Sequence, residues 1–211
     1  TPGTVWILCA PSTEDVLPTI RSRCRHLQLA TPSNAEVAEA LGRSFGVDPA
    51  MAAFAARAAQ GHIGRARALA TSEEARLRRQ DVLRIPTQLH DLGSCLALAA
   101  DLVATVNDDS NAICDPLDER EMAQLRAAYG EGAEGRGIGT VERRAKGAVK
   151  ALEDRQKKRR RRVVRDQLDR AIVDLIAFYR DVLVLQLGAG SPLVNDEMRP
   201  QLERCAAEST P

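Results

Sequence analysis

Between Thr140 and Leu187 the chain has no proline, and its only glycine is Gly147. Proline removes a backbone donor and clashes with the preceding turn, and glycine costs backbone entropy, so a segment nearly free of both predicts one very long helix. Its distal half places Leu168, Ile172, Leu175, Tyr179, Val182 and Gln186 at alternating steps of four and three. That spacing is the seam of a helix packing against other helices. Gly188-Ala189-Gly190 stops the helix, and Asn195 is placed to cap a short terminal helix running through Cys205. A chain organised around such an element is mainly α.

The same helix holds the strongest local charge in the molecule. Between Val141 and Arg170 there are thirteen Lys and Arg against five Asp and Glu, a segment charge of +8 in a chain whose total is +1. At its centre is the run Glu153 to Arg165, in which Lys157, Lys158, Arg159, Arg160, Arg161 and Arg162 stand in unbroken succession. Six consecutive cations wrap most of a helix circumference. They predict a stretch with no buried apolar face, projecting into solvent. DNA phosphates could use such a run, and each one neutralised would steepen the salt dependence of binding. No aromatic residues interleave the cations to stack on bases. The six residues are therefore candidate phosphate contacts, set against the commoner fate of a solvated arm.

The rest of the composition mainly excludes. A chain of 211 residues can bury a sizeable core in one or two domains. Cys9, Cys24, Cys95, Cys114 and Cys205 are scattered without a Cys-x-x-Cys pair, which argues against a zinc site or disulfide framework and fits a reducing cytosol. No apolar run approaches the roughly 20 residues of a membrane span. A soluble cytoplasmic protein is expected. His26, His62 and His90 lie far apart in sequence, and no nucleophile–base, metal-ligand or paired-carboxylate constellation stands out.

The N-terminal region has different grammar. Thr4 to Ala10 is apolar without alternation, which predicts a strand covered on both faces of a parallel sheet. Pro18 opens a short helix, since its missing N–H would lack a partner in a first turn anyway. That turn carries Thr19 to Ser22 and delivers Arg23 before a second expected strand, His26 to Leu29. Because a lone parallel strand satisfies neither its backbone nor its faces, the preceding part of an α/β domain is expected to lie outside this chain. No G-x-x-x-x-G-K-[ST] phosphate loop occurs in these residues, so no P-loop ATP binding is expected of them.

Leu29 to Ser33 reads as a linker, with Ser33 or Asn34 capping the next helix. Val37, Leu41 and Phe45 mark one face of that first helix. Asp48 and Pro49 start a second, which runs from Met51 to Ala59 and ends at Gly61. Ile63 to Thr71 and Glu73 to Leu83 complete the set. Beyond Pro86, Leu89, Leu92, Leu96, Leu98, Leu102 and Val106 outline another helix. Asn107 to Asp118 is polar and turn-rich, and Tyr129 to Gly139 has five glycines; both predict flexible connections.

Strand, spaced Pro18 and the Ser22-Arg23-Cys24 triplet together resemble the arginine-finger region of the clamp-loader branch of AAA+ proteins. Within that branch LPTIRSRCR, Leu17 to Arg25, is similar to the delta-prime family; the related gamma/tau subunits carry an aliphatic residue where Arg21 stands. The resemblance extends to GHIGRARAL, Gly61 to Leu69. ATP-hydrolysing relatives read Gly-Ser-x-Arg-Asp-Ala-Leu there, and their Arg senses the nucleotide. Here Gly64 takes the sensor position and Arg65 comes one residue later, about 100° further round a helix. Asp169 to Ala189 resembles actinobacterial delta-prime collars.

The resemblance implies three parts: 1–31 as the end of an AAA+ nucleotide-fold domain with short parallel strands, 32–86 as a three-helix lid, and 87–211 as a helical collar with a flexible insertion near 107–139. It implies that Arg23 serves as an arginine finger in trans, with Ser22 and Cys24 fixing the helix end. Leu168, Ile172, Leu175, Tyr179 and Val182 become candidate oligomerisation residues, and Gly64 and Arg65 a degenerate sensor. The implied partners are the gamma/tau and delta subunits, with the sliding clamp and primer–template DNA reached through the complex. No cofactor or metal is expected on this chain, only ATP at a neighbouring subunit. No catalysis is expected of the chain alone, although the DNA polymerase III holoenzyme to which it would belong is a nucleotidyltransferase. A second reading from the residues is a free-standing helical nucleic-acid-binding module using the basic helix 153–165. The first would enter a ring; the second would bind DNA alone.

Overall fold

The computed structural model describes residues 3–129 and 138–210, with backbone alone over 138–145. Among the described residues the chain is mainly helical and holds no strand. The helices are α1 (Pro18–Arg21), α2 (Asn34–Phe45), α3 (Pro49–Ala59), α4 (Ile63–Thr71), α5 (Glu73–Arg84), α6 (Leu92–Ala128), α7 (Ile138–Gln186) and α8 (Arg199–Glu208). The chain divides into two compact units, Thr1–Ala66 and Arg67–Pro211.

In the first unit, α2 and α3 form the packed part. Ser33 caps α2 in a reciprocal box with Glu36, whose carboxylate accepts the Ser33 backbone N–H at 2.7 Å. That bond, and then the Ser33 hydroxyl, hold the Glu36 carboxyl below its usual range. Gly46, at φ +63°, closes α2 in the left-handed region. Asp48 caps α3 with Pro49 at its first position. Val37 and Leu41 of α2 are buried, as are Ala52, Ala55, Ala56, Ala58 and Ala59 of α3; small residues let the two helices approach closely. Gly61, at φ +86°, ends this helical pair where any Cβ would strike the Thr31 methyl.

The expected strands do not form. Thr4 to Ala10 and His26 to Leu29 carry no ladder, and Val5, Trp6 and Leu29 are 83, 84 and 85% exposed. The reason is physical: a strand is stabilised by a neighbour's N–H and C=O groups, and none of the described residues supplies one.

The second unit is built on α7. Leu83 of α5, Phe178 and Val182 of α7, Leu202 of α8, and Leu193 and Met198 in the segment before α8 form its buried core. The very long helix expected from the proline-free stretch is present as 49 residues. Pairing with it is α6, continuous over 37 residues. The flexible connection expected over Asn107 to Asp118 is therefore corrected to helix. Val106, Ser110 and Cys114 form a buried stripe at steps of four, and the Asn107 amide donates to the Val103 carbonyl at 2.9 Å. The neighbouring acids find arginines on α7, so the polar composition that reads as a loop is that of a helix face with partners. Pro116 sits on the exposed side of α6. The glycine-rich connection expected at Tyr129 to Gly139 lies largely outside the described residues, apart from Tyr129 itself, which ends α6, and the start of the α7 backbone.

Candidate functional site

Arg23 lies directly beyond the end of α1. Pro18 starts the helix, Ser22 closes it with its N–H on the Pro18 carbonyl at 3.0 Å, and the Ser22 hydroxyl donates to the Thr19 carbonyl at 3.3 Å. The backbone N–H of Arg23 reaches the Ile20 carbonyl at 3.0 Å, and that of Cys24 the Arg21 carbonyl at 3.2 Å. The turn is thus fully bonded while the Arg23 side chain stands exposed, with no ion-pair partner among the described residues. Its neighbours behave differently. Arg21 is half-buried and donates to the Thr13 carbonyl at 3.4 Å, and its own carbonyl lies 2.9 Å from His26 Nε2. Arg21, Cys24, Arg25 and His26 line a shallow pocket with Leu8 and Val16. Such a geometry pins the backbone and leaves the exposed guanidinium groups of Arg23 and Arg25 available.

Gly64 and Arg65 fall in the first turn of α4. The Arg65 N–H donates to His62 Nδ1 at 3.1 Å, so His62 acts as the cap of this helix. A side chain at Gly64 would press on that same imidazole. Among the described residues no group of His, Cys, Asp and Glu could hold a metal ion.

The candidate oligomerisation residues divide. Val182 is buried in the core, Leu168 and Leu175 are half-buried, and Ile172 and Tyr179 are exposed. The internal seam of α7 runs instead through Ala171, Asp174, Phe178, Asp181 and Val182, rotated by about one residue. Outside it a second apolar stripe, Ile172, Ile176, Tyr179 and Leu183, faces solvent, as do Leu92, Leu96 and Val103 on α6. Partial burial, and then the nearby thiols of Cys205 and Cys95, push the Tyr179 hydroxyl up from its ordinary pKa.

The basic run is corrected most. Its side chains do not all project into solvent. Leu152 and Gln156 are buried, and Arg159 and Arg160 turn toward α6. Arg159 grips Glu121 in bidentate fashion at 2.7 and 2.9 Å and also meets Asp118. Arg160 pairs with Asp115 at 2.6 Å and Asp118 at 2.9 Å, and reaches Asn111. Gln156 donates to the Asp118 carbonyl at 3.1 Å and to Glu121 at 3.3 Å. The Arg159 hydrogen bonds, then those of Gln156, lower the Glu121 carboxyl to about 2; Glu121 and then Asp118 raise the Arg159 guanidinium, and Asp115 and then Asp118 raise that of Arg160. Lys157, Lys158, Arg161, Arg162 and Arg165 stay exposed.

A buried ionic cluster was hidden from the sequence. Arg79 of α5, 5% exposed, donates to Asp174 at 3.3 Å, to Glu197 at 2.7 Å and to the Asn195 side-chain oxygen. Asn195 in turn donates from its backbone N–H and side-chain amide to fully buried Asp181, at 2.7 and 2.9 Å. Asn195 therefore does not cap the terminal helix with its side chain; the cluster claims it first. The readable signal was Asp174 and Asp181, two carboxylates seven apart on the face that buries Ala171 and Phe178. No family model, curated protein or solved structure gives a significant match to the chain.

Proposed function

We propose that the chain is a subunit of an AAA+ clamp loader, the ring ATPase that loads a sliding clamp for DNA replication. Its particular place is that of the delta-prime subunit of bacterial DNA polymerase III, with Arg23 offered to the ATP site of a neighbouring gamma/tau subunit. The observation that carries the reading is the fully bonded α1 turn, which presents an exposed Arg23 without a partner among the described residues. Hydrolysis of ATP gathers charge on the γ-phosphate oxygens. A planar, permanently charged guanidinium inserted from outside stabilises it directly.

Two further features support the reading. The solvent-facing stripe of α7, Ile172 to Leu183, is the kind of surface a helical collar covers when it assembles. The exposed Val5 to Leu8 and Leu27 to Leu29 runs have the composition of sheet strands that await neighbours. Under this reading 1–31 ends an AAA+ nucleotide-fold domain, 32–86 serves as lid, and 87–211 serves as collar.

Arg23→Ala tests it in a complex reconstituted with gamma/tau and delta subunits. The variant should assemble normally and lower ATPase and clamp-loading rates. In GTPases such fingers contribute roughly 10³–10⁵ in rate, and one finger among several in a ring gives a smaller overall effect. Arg23→Lys should not restore full activity, because an ammonium lacks the flat fork. Wild-type clamp loading by the Ala variant would refute the role in trans.

A further inference from the structure

The contacts of Arg159 and Arg160 divide the basic run into two functions. At about 100° per residue, Leu152, Gln156, Arg159, Arg160 and Val163 fall within about 100° of arc facing α6. Lys157, Lys158, Arg161, Arg162 and Arg165 occupy the opposite side, within about 140° of arc. The inward arginines are neutralised by Asp115, Asp118 and Glu121. None of the five outward cations pairs with a carboxylate among the described residues, and all five are exposed. Between Arg155 and Arg165 the sequence contains no acid at all.

We infer that this outward ridge of α7, Lys157, Lys158, Arg161, Arg162 and Arg165, is a binding site for the phosphate backbone of duplex nucleic acid. Charge and composition select that occupant. Like charges on adjacent turns repel one another; exposed Asp154 and Asp169 stand about one turn beyond the two ends of the ridge, but no acid lies within it, and a polyanion relieves the repulsion along its length. The ridge spans about 12 Å of helix axis. Duplex DNA presents one negative charge per roughly 1.7 Å of its own axis, so several phosphates lie within reach of it. A specific protein interface would need buried aromatic or aliphatic anchors. The ridge has none, whereas the distal half of α7 displays them in Ile172, Ile176, Tyr179 and Leu183. Two surfaces of one helix thus have different chemistry. The ridge has no aromatic side chain to stack on bases and no Asn or Gln to read adenine; as a contact of its cations with the phosphate backbone, which carries no sequence information, it binds independently of sequence.

This inference stands on the ridge alone and does not rest on Arg23 or on ring assembly, so either can fail without the other. The test uses the full chain and a fluorescein-labelled 20-base-pair duplex, with binding monitored by anisotropy across roughly 50–200 mM NaCl. If all five cations displace counterions, the slope of log K against log[salt] approaches about −4.5. Lys158→Gln/Arg162→Gln/Arg165→Gln should weaken binding at least about tenfold and flatten the slope by nearly 3. Arg43→Gln/Arg84→Gln/Arg204→Gln removes the same net charge elsewhere and should leave both quantities near wild type. A scrambled duplex should bind within about twofold of the first. Far-UV circular dichroism checks that each variant keeps its helix content and melting midpoint. The inference is overturned if the ridge variant binds like wild type, if the control variant loses as much, or if polyglutamate competes as well as duplex at equal charge.

Discussion

Replacing Arg79 with methionine is the sharpest test of how the second unit holds together. The guanidinium is 4% exposed and lies against Asp174, 6% exposed, and fully buried Asn195. Water cannot take its place at these groups. Methionine keeps most of the volume and removes the charge, so Asp174 loses this counter-charge in a dry site, and Asn195 and Glu197 each lose a donor. Removing one partner of a buried pair typically costs about 3–5 kcal/mol. The Arg79–Asp174 pair is almost wholly desolvated, so solvent screening does not reduce its share much, whereas the Glu197 side chain, 30% exposed, keeps access to water and contributes less. For a unit of this size each kcal/mol lowers the melting midpoint by roughly 2–4 °C, so Arg79→Met should lower it by about 6–20 °C. Thermal unfolding monitored at 222 nm reads this directly. Arg79→Met/Asp174→Asn removes both charges and should recover at least half of the loss, because much of the cost lies in a buried carboxylate deprived of this counter-charge. A single variant within about 1 kcal/mol of wild type, or a double variant no better than the single, would refute the argument.

The same geometry sets two other expectations. Glu121, with its carboxyl lowered to about 2 from 4.5, contributes stability that is complete above the unfolded value and is lost as pH falls through that window. The melting difference between wild type and Glu121→Gln should therefore shrink between about pH 5 and 2; a constant difference would show that the Arg159 contact does not control it. Ile172→Asp/Ile176→Asp places charge on the solvent-facing stripe of α7, so it should leave the isolated chain folded by circular dichroism yet prevent its entry into a clamp-loader complex on size exclusion. A normal complex would remove that stripe from the assembly surface.

The helices were legible where local chemistry decides. Ser33, Asp48, Pro49, Gly46 and the proline-free stretch mark ends and continuity through backbone bonds made within a few residues, and the sequence reading placed α2, α3, α4, α5 and α7 accordingly. What escaped depends on partners distant in the chain. Asn107 to Asp118 read as a loop because its acids are matched by Arg159 and Arg160, some forty residues later. Glu73 to Leu83 was legible as a helix, but its charged composition did not show that Arg79 and Leu83 are buried. The strands of the first 31 residues were misplaced for the converse reason: composition shows what a segment would do beside a sheet, not whether the sheet is there. At the candidate site, the Pro18-started turn and the position of Arg23 were readable, as was the existence of a basic run. Its division into inward and outward halves was not, because six consecutive cations carry no information about which of them face a neighbouring helix.

From Arg162 to Phe178 helix α7 runs about 24 Å without a proline or glycine. Nothing along that span offers a hinge. A load applied at the cationic end therefore cannot be absorbed by local unwinding and arrives at the core around Phe178 and Leu202 as a tilt of a stiff rod. Leverage favours the far end: a small rocking of the packed base sweeps the charged end through a larger arc. The base is also where the buried ionic cluster anchors α5 to α7, so the stiffness of that anchor sets how much of the motion survives. Softening it by Arg79→Met would damp the transmission before it unfolded the chain.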